Sequence, residues 1–215
     1  MRLFVALSIP VDVRENLSSM IDELCRADAR PRWVNPGNLH ITLKFIGEVS
    51  SDGVTEIATA LGTVHAAQHV KLGFGGIGFF PNARRPNVAW IGIESSPNLA
   101  PLASDVNLAL SPLGIAREEK PFVPHLTIAR FAETRLSPAL KAEIEKWKNR
   151  SFGTLATTEF HLVESKRKST GAEYTTLRSF QFVREEAESK EQCLFRLHRS
   201  CCSWFRICWD RSRLD

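Results

Sequence analysis

Cysteine is nearly absent from the first 192 residues, where only Cys25 occurs. An internal disulfide framework therefore cannot hold the main fold. No apolar run approaches the roughly 18 residues that a membrane-spanning helix needs. The early apolar stretch Leu3–Ile9 is too short for a signal-peptide core and has no cleavage region behind it, so it reads as a first strand. Together these absences predict a cytoplasmic protein with no membrane partner. The glycines of Gly73–Gly78 are not followed by Gly-Lys-Ser/Thr, which excludes a P-loop. His65 and His69 stand four apart on an expected helix, but His65 has no glutamate beside it and no third ligand is evident. No metal and no cofactor are expected. Neither charge sign dominates: 28 Lys and Arg against 24 Asp and Glu leave a net +4, which favours an anionic partner without demanding one.

Against these absences, one short phrase occurs twice. His40-Ile41-Thr42-Leu43-Lys44-Phe45 returns 85 residues later as His125-Leu126-Thr127-Ile128-Ala129-Arg130. With six histidines in the chain, about 0.3 His-x-Thr matches would arise by chance, so two in the same apolar frame are not accidental. Each copy has the β-branched, apolar character of a buried strand. Side chains two apart on a strand share a face, so each copy aims an imidazole and a hydroxyl at one surface.

The surroundings repeat as well. Proline-bearing turns, Pro36-Gly37-Asn38 and Lys120–Pro124, precede the two motifs. Helical patterns come after them, near Gly53–Ala67 and at Pro138–Lys148, the second capped by Ser137. A strand–turn–helix unit used twice suggests an internal duplication whose halves face each other across a cleft. The remaining pattern predicts strands at Arg2–Ile9, Val70–Gly78, Asn87–Ile93, Phe152–Glu164 and Tyr174–Phe182. Helices are expected at Val11–Ala27 and Leu99–Leu110. Helices and strands are interspersed with hairpins, which indicates an α+β fold with antiparallel sheet. A bilobal domain is expected over 1–183. Residues 184–215 carry four of the five cysteines and form a C-terminal extension of unknown role. Their cysteine spacing lacks paired Cys-x-x-Cys, so zinc is disfavoured there.

These motifs resemble those of the two-histidine (2H) phosphoesterase superfamily, in particular its RNA 2′,3′-cyclic phosphodiesterase branch, also called the 2′-5′ RNA ligase family. The resemblance includes Arg2–Leu7, both His-x-Thr motifs, Gly76–Pro81, Arg84–Trp90, Arg130 and Gly171–Tyr174, and it covers about 1–183. It implies a LigT-like fold of duplicated antiparallel sheets with flanking helices and a central cleft. It further implies metal-independent hydrolysis of RNA 2′,3′-cyclic phosphate ends to a 2′-phosphate. His40 is assigned by it as proton donor and His125 as proton acceptor, an order that the residues alone do not set.

Histidine suits both roles because its ordinary pKa lies near 6.5. Thr42 and Thr127 would donate to non-bridging phosphate oxygens. The resemblance gives Arg130 a substrate contact, although on an ideal strand its odd offset from His125 points it away. Phe45 holds the matching place in the first motif, either to stack a base or to fill the core. Tyr174, the only tyrosine, is expected to line the cleft. Arg84 and Arg85 fall in a turn, free to touch RNA phosphates or solvent. The alternatives are a 2′-5′ RNA ligase acting on tRNA-like ends, and a nucleotide- or RNA-binding module without turnover. The expected working form is a monomer.

Overall fold

The structure, a computed structural model, describes residues 1–66, 68–132, 135–168 and 171–183. The expectations for 184–215 lie outside the described residues. In chain order the elements are β1 (Arg2–Ser8), α1 (Val11–Ala27), β2 (Arg32–Trp33), β3 (His40–Glu48), α2 (Gly53–Leu61), β4 (Val70–Phe80) and β5 (Val88–Ser95). Then come α3 (Leu99–Leu110), β6 (His125–Arg130), α4 (Pro138–Trp147), β7 (Ser151–Thr157), β8 (Glu159–Lys168) and β9 (Gly171–Gln181).

The strands form a four-stranded sheet in the order β3-β1-β8-β9 and a five-stranded sheet in the order β2-β6-β5-β4-β7. Every pairing between them is antiparallel. Each motif strand therefore pairs with a strand that packs between two others: β3 on β1, β6 on β5. The duplication inferred from the sequence appears as two antiparallel sheets with one motif strand in each, β3 at the edge of the first and β6 covered by the short β2 in the second.

The helices interlock the halves. Helix α1 leaves the first sheet at β1 but packs on β7 of the second sheet and on α4. Helix α3 leaves the second sheet at β5 but packs on β3 of the first and on α2. One continuous apolar core results, with Leu17, Met20 and Leu24 of α1 joining Phe74 and Phe152 of the second sheet and Leu7 and Ile41 of the first. Burial of this size is the main stabilising term. A small second cluster of Phe4, Ala6 and Val163, with Tyr174 against it, lies apart from that core. These residues share the sheet face that carries His40 and Thr42.

Local chemistry explains most boundaries. Ser137 Oγ accepts from Leu140 N at 3.2 Å and Pro138 opens α4, the arrangement that the capping signal predicted. Pro101 sits in the first turn of α3, where its missing N–H has no intrahelical partner to lose. Helix α2 is shorter than expected. It ends at Leu61, where Gly62 N turns back to Ala58 O, so the segment read as helix to Ala67 leaves the helix there. His65 and His69 are exposed in the connection to β4, off the helix face that would have paired them.

Candidate active site

In β3 the burial alternates as the pattern demands: Ile41 and Leu43 face the core while His40 and Thr42 are half-exposed on the other face. A β-bulge then interrupts the alternation. Val5 pairs with Lys44 and Ala6 with Thr42, leaving Leu43 with no partner in β1. An extra residue resets the parity, so Leu43 and Lys44 both point inward and Phe45 returns to the face of His40. Phe45 is accordingly 56% exposed, which rules out the core role considered for it.

The second motif repeats this device at the corresponding position. Ala89 pairs with Ala129 and Trp90 with Thr127, so Ile128 is the extra residue in β6. Both strands run half-exposed, buried, half-exposed, buried, buried, exposed from their histidine onward. Arg130 therefore lies on the face of His125 and Thr127. The odd offset that should have turned it away is cancelled by the bulge.

Both imidazoles are held in the same way. His40 Nδ1 lies 2.7 Å from Asn38 O, and His125 Nδ1 lies 2.8 Å from Val123 O. A carbonyl only accepts, so each Nδ1 carries a proton and each Nε2 is left for chemistry. Aromatic rings brace the imidazoles: Phe4 at 4.7 Å and Tyr174 edge-on at 5.1 Å beside His40, and Phe80 edge-on at 5.1 Å beside His125. Trp90 backs Phe80, with ring centroids 5.1 Å apart. Its indole lies across β4 because residue 78 is glycine; a Cβ there would come within 2.2 Å of the ring.

The two motif strands belong to different sheets and meet, β3 against β6. Burial holds the His40 pKa below the ordinary imidazole value, and a charged His125 lowers it further, while the Asn38 carbonyl works the other way. The histidines thus sense each other although 85 residues separate them. Two further contacts fasten the surroundings. Lys44, turned inward by the bulge, donates to Ala116 O at 2.5 Å and reaches Glu118 Oε1 at 3.4 Å, in the segment that leads to β6. Asn38 Nδ2 donates to Ala172 O at 2.6 Å, tying the start of β9 to the turn that also holds His40.

The structure brings His40, Thr42, Phe45 and Tyr174 together on one sheet and His125, Thr127 and Arg130 on the other. Arg84 and Arg85 are exposed in the β4–β5 turn, where Asn82 Oδ1 accepts from both backbone amides at 3.0 and 3.1 Å. His161 is buried in β8 with its Nδ1 2.9 Å from Ser179 Oγ. Sequence reasoning missed Asn38, Phe80 and the Val123 carbonyl. Asn38 and Phe80 lie within segments already singled out, the turn Pro36-Gly37-Asn38 and the stretch Gly76–Pro81, but neither was given a role. A backbone carbonyl leaves no mark in residue type.

In sequence and fold the chain is similar to known proteins. The family model described as the 2′-5′ RNA ligase superfamily matches residues 13–169. The RNA 2′,3′-cyclic phosphodiesterase of Archaeoglobus fulgidus is 36% identical over 181 residues, covering 84% of this chain and 100% of that protein. The protein of the same name from Methanocaldococcus jannaschii is 33% identical over 180 residues, covering 84% of this chain and 100% of that one. Among solved structures, Escherichia coli LigT complexed with 3′-AMP is similar with a TM-score of 0.68 and 26% identity, over 85% of this chain and 98% of that chain. A Thermus thermophilus protein gives a TM-score of 0.70 at 29% identity, over 86% of this chain and 100% of that chain.

Proposed function

The chain belongs to the 2′-5′ RNA ligase superfamily, and on that footing we propose that its paired imidazoles open RNA 2′,3′-cyclic phosphate ends by acid–base catalysis. It is an enzyme, a cyclic phosphodiesterase that yields a 2′-phosphate. His125 Nε2 takes a proton from water as the oxygen attacks phosphorus. The P–O3′ bond breaks, and His40 Nε2–H delivers a proton to the departing 3′ oxygen. Thr42 and Thr127 donate to the non-bridging oxygens as charge builds on them. Phe45 stacks the terminal base, Tyr174 closes the cleft beside His40, and Arg130 contacts a phosphate of the substrate.

One observation supports this reading above the others: two strands from separate sheets meet with identical His-x-Thr and bulge geometry, both imidazoles anchored through Nδ1. Ligation would run the same ring opening with a ribose 5′-hydroxyl in place of water: the P–O5′ bond forms, the P–O3′ bond breaks, and a 2′-5′ linkage is left. The relatives' names do not favour it. We place the reaction in the cytoplasm and in a monomer. Both motifs come from one chain, and among the described residues the Cys25 thiol is free and no helix is long and apolar enough to cross a membrane. The partners are RNA or nucleotides with 2′,3′-cyclic phosphate ends.

The test is incubation of adenosine 2′,3′-cyclic phosphate and a cyclic-phosphate-ended oligonucleotide with the protein in EDTA, followed by product identification. A 2′-phosphate product is expected. His40→Ala and His125→Ala should each lower kcat by about 10²–10⁴-fold with unchanged circular dichroism. Full activity in both variants rejects the mechanism.

A further inference from the structure

Strand β2 consists of two residues, and one of them stands in an unfavourable place. Arg32 lies directly opposite Arg130 in the antiparallel β2–β6 pairing, and Trp33 lies opposite Ala129. Directly opposed residues project from the same face, with Cα atoms about 5 Å apart. The Trp33 indole turns to the other side and donates to Asp28 O at 3.0 Å. Arg32 is thereby left on the face that the β6 bulge gives to His125, Thr127 and Arg130.

Like charges opposed across paired strands repel. Both arginines are exposed, and neither meets a carboxylate, a carbonyl or an aromatic ring among the described residues. Their neighbour Arg30 is bound instead by Asp28, with Nη2 to Oδ2 at 2.7 Å. The row that continues across the sheet from Arg130 is Val88 and then Phe80, which supply no countercharge. The pair thus leaves two planar, forked donors on that face without a partner among the described residues.

The position also matters. Counting strand steps and the bulge, the Cα of Arg130 stands about 13 Å along β6 from that of His125. Arg32 is one strand farther out, at the sheet edge. An anion bridged by both guanidiniums would therefore sit on the face that carries His125 and Thr127, but farther along β6 and toward the sheet edge. We propose that Arg32 and Arg130 form a second anion subsite that holds the phosphate on the 5′ side of the terminal nucleotide. The site would then select polynucleotide ends over isolated cyclic nucleosides. This rests on the cyclic phosphodiesterase reading of the same cleft.

Calorimetric titration of the full chain with adenosine 2′-phosphate and with adenosine 2′,5′-bisphosphate tests it without turnover. The bisphosphate should bind about tenfold more tightly, the order expected for a charge-assisted bidentate contact. In Arg32→Ala that ratio should fall to near one, and Arg32→Lys should keep part of it. Arg32→Glu pairs with Arg130 across the strands, so its thermal midpoint should hold or rise while the preference for the bisphosphate disappears. A ratio near one in the natural protein overturns the subsite. So does a ratio unchanged in Arg32→Ala, or an equal loss for both ligands. If the ratio behaves as expected but cyclic phosphates are not hydrolysed, the subsite stands and the phosphodiesterase reading fails.

Discussion

A histidine that must donate a proton near neutral pH has to be charged when the substrate is bound. In the free protein, burial and the His125 charge keep His40 below the ordinary imidazole value. A bound phosphate anion acts in the opposite direction and raises it. The limb of activity lost as His40 deprotonates should therefore lie at higher pH in kcat, which reports the complex, than in kcat/KM, which reports the free enzyme. Coincident limbs, or the reverse order, would remove His40 from the donor role. In the free protein, His125→Asn deletes the neighbouring charge. The His40 titration followed by NMR should then move upward, toward the ordinary value.

At the level of elements, Asp28 joins the end of α1 to the segment that leads into β2. It accepts from Arg30 N at 3.1 Å, Nε at 2.9 Å and Nη2 at 2.7 Å, and it is 8% exposed. The Arg30 hydrogen bond, chief among the causes, holds its carboxyl well below the usual carboxylate range, assisted by Ser137 at the cap of α4. A depressed folded-state pKa stabilises the fold above the unfolded-state value of about 3.9 and ceases to do so as pH falls through the lower folded-state value. Asp28→Asn should cost about 1–3 kcal/mol at neutral pH. The gap to the natural protein should narrow below about pH 4. Urea denaturation at a series of pH values measures it, and a constant gap would contradict the assignment.

At the scale of the molecule, the exchanged helices matter most. Because α1 and α3 each pack on the sheet they did not come from, neither half can bury its apolar face alone. Calorimetry should show one cooperative transition for the described body, not one for each sheet. Two resolved transitions for the sheets would refute the interlock. The apposition of the two motifs depends on that same packing. The catalytic site is proposed to lie wholly within 1–183, so truncation after Val183 should leave kcat/KM within about twofold. A larger loss would give residues 184–215 a role in the reaction.

The primary structure alone determined the two motifs, their strand character, the helices α1, α3 and α4 and the duplication, because apolar periodicity and capping chemistry are local. It also placed a histidine and a threonine on a shared face in each half. What it left open depended on pairing between distant segments. The bulges that return Phe45 and Arg130 to the cleft exist only in register with β1 and β5. The anchoring of each Nδ1 falls on a carbonyl, which every residue possesses. The opposition of Arg32 and Arg130 joins residues almost a hundred positions apart. Tertiary structure decided these matters, since strand register is set by partners that a linear pattern cannot name.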